Sequence, residues 1–167
     1  AGNRVQAQAP AAAAAPPPAP FHIRQTAYIK ASNPHASDNF GDGGNLPGHS
    51  GNSIAISDDG NYLAVGAHQE SSASKGINGN QNDTSMYAAG AVYVFVKRNG
   101  AWVQQAYVKP SSPQQGANFG MNVVFNSDAT TMAVSAYWES SSSKGINSVQ
   151  DDKVPQAGAV YIFTRTG

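Results

Sequence analysis

The sequence contains two copies of one pattern, each about 70 to 80 residues long, across residues 25–167. Residues 25–32, QTAYIKAS, return 79 positions later as residues 104–111, QQAYVKPS. Asn39-Phe40-Gly41 returns at the same spacing as Asn118-Phe119-Gly120. A period of this length is typical of repeat architectures, in which each small unit buries its faces only against neighbouring units. The chain is therefore predicted to stack like units on one another.

The spacing shortens to 69 after the Phe-Gly pair, because the first copy carries about ten additional residues, 42–51, rich in Gly and Asn. Residues 63–67 (LAVGA) then match 132–136 (MAVSA), and SKGIN at 74–78 recurs unchanged at 143–147. Residues 89–95 (AGAVYVF) match 157–163 (AGAVYIF). We assign the first repeat to about residues 21–100 and the second to about residues 101–167.

Short runs enriched in β-branched and aromatic residues, bounded by Gly, Asn, Asp or Pro, predict about eight strands. The predicted strands are His22–Lys30, Ser53–Ser57, Tyr62–Gly66, Gly90–Lys97, Ala101–Lys109, Asn122–Asn126, Thr131–Ala136 and Gly158–Arg165. A helical period of 3.6 is not sustained anywhere. The sequence therefore predicts an all-β protein, in which the long polar connections 68–89 and 137–157 are ordered loops.

The first 20 residues, AGNRVQAQAPAAAAAPPPAP, form a low-complexity segment rich in Ala and Pro. Prolines favour an extended polyproline geometry, so we expect an extended arm over residues 1–20. Ordering an arm that has no core of its own costs about 1–2 kcal/mol per residue. We therefore expect the arm to lie against a surface, either of its own chain or of a neighbour.

Composition excludes several classes of function. The formal net charge is zero and 12% of residues are charged, which argues against a nucleic-acid partner. No run of residues approaches the roughly 18 apolar positions of a membrane span, so membrane insertion is not expected. Cysteine is absent, which removes disulfides and thiolate chemistry. The Ser, Asn, Gln and Gly content and the start at Ala1 favour an extracellular or cell-surface protein whose leader has been removed, a proteolytic fragment being the alternative.

Several of the repeated elements resemble the FG-GAP repeat of integrin-α-like β-propellers. Phe40-Gly41 and Phe119-Gly120 are similar to its Phe-Gly element, and Gly66-Ala67-His68 and Ser135-Ala136-Tyr137 are similar to its Gly-Ala-Pro element. The phrases at 57–67 and 89–95 also resemble the bacterial form of the repeat, and the resemblance covers residues 25–167.

This resemblance implies four-stranded antiparallel blades arranged around an axis, here two blades of an incomplete β-propeller. The chain is expected to open with an outermost strand, His22–Lys30, and to end on a third strand, so that the second blade lacks its own fourth strand. A blade hides its faces only against other blades, and two blades cannot close a ring. Either the first strand of another copy completes the second blade, or the chain is a piece of a longer one.

Calcium is the one cofactor for which the sequence offers candidates. The integrin-like calcium loop is replaced here by Ser57-Asp58-Asp59-Gly60, which has too few acids and is interpreted as a turn. The alternating residues Asn78, Asn80, Asn82 and Asp83 could ligate calcium, and a solvated loop is the competing interpretation. No cofactor is otherwise expected.

No enzymatic activity is expected. Ser72-Ala73-Ser74-Lys75 fits a Ser-x-x-Lys pattern but lacks the helix and companion motifs of that mechanism. Glu70 and Glu139 recur at matching positions and are interpreted as members of structural ion pairs or loop hydrogen bonds with Lys75 and Lys144. A nucleophile, a base and an orienting group do not converge in the pattern.

The predicted function is self-assembly by exchange of a strand and arm between copies, giving a filament or a closed ring. The alternative is a ligand-binding or adhesion segment of a larger propeller that recognises a glycan or a protein. The predicted partner-binding residues are His22, Ile23, Ala27, Tyr28, Ile29, Val160, Tyr161, Ile162, Phe163, Tyr137 and Trp138. Tyr137 and Trp138 are included because exposed aromatic rings combine a large contact area with a polar handle.

Overall fold

The computed structural model describes residues 21–46 and 49–166, and the predicted arm over residues 1–20 lies outside this range. The described residues are all-β without a helix, which confirms the predicted fold class. The strands are β1 (Asn45–Leu46), β2 (His49–Ser50), β3 (Ile54–Ile56), β4 (Tyr62–Ala67), β5 (Ala91–Arg98), β6 (Ala101–Val108), β7 (Phe119–Phe125), β8 (Thr131–Ala136) and β9 (Ala159–Thr164). Within the same residues, no helix is long and apolar enough to cross a membrane.

The strands form two main antiparallel sheets. Sheet 1 has the order β3-β4-β5-β6 and sheet 2 has the order β7-β8-β9, so neighbours in the sheet are neighbours in the chain. β1 and β2 make a separate two-stranded ribbon within the insertion of the first repeat. Short turns join β3 to β4, β5 to β6 and β7 to β8, whereas the long loops 68–90 and 137–158 join β4 to β5 and β8 to β9.

Two turns show how local sequence sets this order. Asn99 and Gly100 have φ values of 50° and 81° and connect β5 to β6, as the two-residue hairpin loops with positive φ require. Between β3 and β4, an Asp59 carboxylate oxygen accepts the Asn61 N–H at 2.9 Å and the Ser57 hydroxyl at 2.5 Å. The interpretation of Asp59 as a turn residue is therefore confirmed.

The main core lies between the two sheets. Ala64, Val92 and Val108 of sheet 1 pack against a set of buried residues from sheet 2, which includes Phe119 and Val134. The other buried members of this core are Ala117, Val123, Met132 and Ala136. The sheets approach so closely that a Cβ atom on Gly66 would lie 1.9 Å from the carbonyl oxygen of Gly120.

A second core covers the opposite face of sheet 1, around Tyr93 and Phe95. The Phe40 ring packs edge-on against both of these rings, with centroid distances of 5.5 Å and 6.3 Å. In the second repeat, Phe119 makes the same contacts with Tyr161 and Phe163, at 5.5 Å and 6.0 Å. The Phe-Gly element of each repeat therefore anchors the chain on the aromatic face of its own sheet.

One strand prediction needs correction. Residues 22–30 form no strand, and sheet 1 takes its fourth strand, β6, from the start of the second repeat. Sheet 2 has three strands, in agreement with the expectation that the second unit lacks a fourth strand of its own. The physical reason is that a strand needs a neighbouring edge for its backbone hydrogen bonds, and β5 offers that edge to β6 through a tight hairpin.

Candidate functional site

The outer edge of sheet 2 is formed by β9. β9 pairs with β8 over its whole length, and none of the described residues pairs with its other edge. Tyr161 and Phe163 are half-buried toward Phe119, whereas Val160 and Ile162, on the other face, are 66% and 62% exposed. An exposed edge with apolar residues is a template for pairing with another strand.

Residues 22–30, here called the N-terminal segment, are the counterpart of β6 in the first repeat. Ile23 and Tyr28 are 85% and 81% exposed, and His22 and Ala27 are exposed as well. Only Ile29 is half-buried, against the second core. Tyr107, the counterpart of Tyr28 in β6, is fully buried and lies 5.3 Å from the Tyr93 ring. The same sequence pattern is thus buried in one repeat and exposed in the other.

β6 is held on its outer side by a loop as well as by β5. The Lys109 N–H donates to the Gly76 carbonyl at 2.8 Å, and the Asn78 N–H donates to the Tyr107 carbonyl at 2.7 Å. The Tyr107 N–H in turn donates to the Asn78 side-chain oxygen at 2.9 Å. This loop clamp, residues 76–78, binds the backbone of β6 along the edge that faces away from β5.

The calcium candidates lie in and beside the loop clamp. Asn78 serves as the backbone-binding residue just described, and the side-chain oxygen of Asn80 accepts the Asn82 N–H at 3.0 Å. Asp83 accepts the Ala73 N–H at 2.7 Å and the Ser85 N–H at 3.0 Å. Hydrogen bonding by the Ser85 side chain, followed by these two backbone bonds, lowers the pKa of the Asp83 carboxyl. Their oxygens thus order the loop. No group of three or more His, Asp or Glu side chains among the described residues is placed to hold a metal.

The counterpart of the loop clamp in the second repeat, residues 145–147, has the same backbone conformation. Gly76 and Asn78 have φ values of 69° and 56°, and Gly145 and Asn147 have φ values of 83° and 56°. Asp151 also accepts the Ser142 N–H at 2.7 Å, as Asp83 does for Ala73. Residues 145–147 therefore share these backbone angles with the loop that binds β6, although Ile146 is 91% exposed.

A buried ion pair joins β6 to the first long loop. The Lys109 ammonium lies 2.8 Å from the Glu70 carboxylate, and both side chains are fully buried. Burial lowers the pKa of Lys109, and the Glu70 charge opposes that shift. The predicted pairing of Glu70 with Lys75 is wrong, because β6 brings Lys109 to the carboxylate while Lys75 is exposed.

Sequence reasoning missed this pair although its signal was present. Lys109 repeats Lys30 and Glu70 repeats Glu139, at the two spacings that define the repeat. A carboxylate and an amine that both recur are candidates for a contact made once per repeat.

Tyr137 and Trp138, the remaining predicted contact residues, directly follow β8 and line a cleft of about 510 Å³ together with Ala159 and Val160 at the start of β9. Their rings pack against each other with centroids 5.8 Å apart, and both side chains are half-buried. They also line a second cleft of about 240 Å³ together with His68 and Met121. A contact role for these two residues stays a prediction.

Comparison with protein-family models, with curated proteins and with solved structures gives no match to this chain. Functional assignment therefore rests on the geometry of the chain itself.

Proposed function

We propose that the chain self-assembles by strand addition: the N-terminal segment of one copy becomes the fourth strand of sheet 2 in another copy. One observation carries the proposal. The sequence pattern of the N-terminal segment is paired and buried as β6 on sheet 1, whereas in its own repeat it is unpaired and largely exposed, and sheet 2 has a free edge at the position that β6 fills on sheet 1. Strand addition of this kind derives affinity from backbone hydrogen bonds and specificity from side-chain pockets.

The register of the added strand follows from sheet 1. There Val92 lies opposite Val108, Tyr93 opposite Tyr107, and Val94 opposite Ala106. The corresponding pairs between β9 and the N-terminal segment are obtained by replacing each residue of β5 and β6 with its counterpart in the other repeat. The expected pairs are Val160 with Ile29, Tyr161 with Tyr28, Ile162 with Ala27, and Phe163 with Gln25, with His22 and Ile23 beyond the end of β9.

The preformed loop at residues 145–147 favours this arrangement. In sheet 1 the Asn78 side chain binds the Tyr107 N–H, and in the proposed contact its counterpart Asn147 would bind the Tyr28 N–H of the added strand. A site that already has its bound conformation loses less conformational entropy on binding. The N-terminal segment must still be ordered, which costs part of the interaction energy.

The contact is heterologous, because the surfaces that meet are different parts of the chain. Such contacts generate a closed ring if the rotation closes and a filament if it does not. In this proposal the sheets are propeller-type blades of the FG-GAP kind, and the chain is a non-enzymatic extracellular structural module.

The proposed contact involves the free edge of β9 and not the outer face of sheet 2. Ser135 occupies the position of Gly66, where a side chain would collide with the neighbouring backbone, so a further sheet could not approach sheet 2 as closely as the two sheets approach each other.

Cysteine cross-linking tests the proposal, because the chain has no cysteine of its own. Opposed residues in an antiparallel pair have Cβ atoms about 4.5–5.5 Å apart, near the separation that a disulfide spans. The Ala27→Cys/Ile162→Cys variant is expected to form covalent chains of copies under mild oxidation. Matched controls are the two single variants and Ala27→Cys/Val160→Cys, which is displaced by two residues.

Equal cross-linking in the displaced control would refute the register. A second measurement is the mass of the purified chain with and without residues 1–30. A stable monomer in both forms would refute strand addition, and glycan binding by that monomer would favour the adhesion alternative.

A further inference from the structure

Beside the proposed strand-addition contact, one buried carboxylate, that of Glu139, has no cationic partner within the described residues. Glu139 repeats Glu70 and is only 4% exposed. Glu70 has Lys109 at 2.8 Å, whereas Glu139 has no salt bridge with any residue of the described ranges. A buried carboxylate without a cation carries a large desolvation cost unless it gains a partner.

The groups that donate hydrogen bonds to the Glu139 carboxylate are polar but uncharged. The Ser141 N–H donates to one carboxylate oxygen at 3.1 Å, and the Gln114 side-chain amide donates to the other at 3.3 Å. The Ser141 hydroxyl also donates to the carboxylate. These bonds hold the carboxylate in a fixed position. They do not neutralise it.

The acidic residues around Lys109 in sheet 1 show which cation would pair with Glu139. Burial lowers the pKa of Lys109, and the charges of Glu70, Asp83 and Asp38 oppose that shift. In the second repeat, Glu139 and Asp151 occupy the positions of Glu70 and Asp83. The lysine that repeats Lys109 is Lys30, and its side chain is exposed.

We infer that Glu139 is the buried counterion for Lys30 of a second copy, so that each intermolecular contact contains the ion pair that Glu70 and Lys109 form within the chain. This inference rests on the proposed strand addition and specifies its register. Lys30 directly follows Ile29, the residue expected opposite Val160, as Lys109 directly follows Val108.

The ion pair would also fix the register of the added strand. A slip of one residue turns every side chain of a strand to the other face. It would therefore remove the Lys30 ammonium from Glu139 and bring an uncharged side chain, Ile29 or Ala31, to that position. A buried polar pair that selects one register over its neighbours is a well-attested use of such groups.

A double-mutant cycle on the full chain tests the inference. The variants are Lys30→Met, Glu139→Gln and the double variant, and the readout is the association constant from sedimentation over a range of concentrations. Each single substitution is expected to weaken association by about 30-fold or more, because it leaves a buried group without its partner. The double variant is expected to be no weaker than either single variant.

Controls separate this interaction from folding. Lys30 is exposed in the single chain, so Lys30→Met should leave thermal unfolding of the monomer unchanged. Lys97→Met removes another exposed lysine and should leave association unchanged. Unchanged association in Lys30→Met, or additive losses in the double variant, would overturn the ion pair.

Failure of the ion pair can be told apart from failure of strand addition. If Ala27→Cys/Ile162→Cys still cross-links while Lys30→Met associates normally, strand addition stands and the ion pair is refuted. If the same cysteine variant gives no cross-link and the chain stays monomeric, both are refuted.

Discussion

Replacement of Lys109 by Met isolates the energetic contribution of the buried ion pair within one chain. Methionine fills much of the space of the lysine stem, so the main change is loss of the ammonium that lies 2.8 Å from Glu70. Both side chains are fully buried, and one oxygen of Glu70 has no hydrogen-bond partner among the described residues. The substitution therefore leaves a buried carboxylate without compensation.

The expected loss in the free energy of unfolding is about 3–5 kcal/mol, the range for breaking a buried pair by removing one partner. This is a large fraction of the roughly 5–15 kcal/mol that stabilises a typical domain. Replacing both partners, in Lys109→Met/Glu70→Leu, removes the stranded charge as well. The double variant should therefore recover most of the lost stability.

Urea unfolding followed by tryptophan fluorescence measures these differences, at a concentration that keeps the chain monomeric. Lys153→Ala is the matched control, because Lys153 lies 3.4 Å from Asp151 but is 76% exposed, and such pairs contribute about 0–1 kcal/mol. A loss below about 1 kcal/mol in Lys109→Met, or a double variant as unstable as the single one, would refute the reasoning.

Two further substitutions test the packing of the sheets and the order of the second loop. Gly66→Ala should destabilise the chain by about 3 kcal/mol in urea unfolding, the upper end of the usual cost of overpacking, since its Cβ would lie 1.9 Å from the Gly120 carbonyl oxygen; wild-type stability would contradict this packing. Hydrogen bonds from Ser142 lower the pKa of Asp151 to about 2, so the stability they contribute is present above the ordinary value of about 3.9 and is lost as pH falls toward 2. The Ser142 amide resonance should titrate near pH 2 in the wild type and not in Asp151→Asn, and a midpoint near 4 would contradict the assignment.

Several strands could be predicted from the sequence, because short local patterns determine them. Strands β4, β5, β8 and β9 coincide with their predicted runs to within two residues, because alternation and turn residues act over a few positions. The Asp59 turn was predictable for the same reason. The recurrence of Glu70 and Lys109 marked both as candidates, but tertiary structure decided their pairing, since they lie 39 residues apart and meet only because β6 crosses to the first repeat's sheet.

The local pattern of residues is enough to predict a tandem repeat of short strands joined by polar loops. It could not decide where each outer strand would pair. Residues 25–32 and 104–111 have nearly the same sequence, yet residues 25–30 form no strand and are exposed apart from Ile29, whereas residues 104–108 lie in β6. Local preference is the same in both, and a strand forms only where tertiary structure provides an edge with free N–H and C=O groups. β5 provides that edge within the chain, and β9 leaves the equivalent edge open.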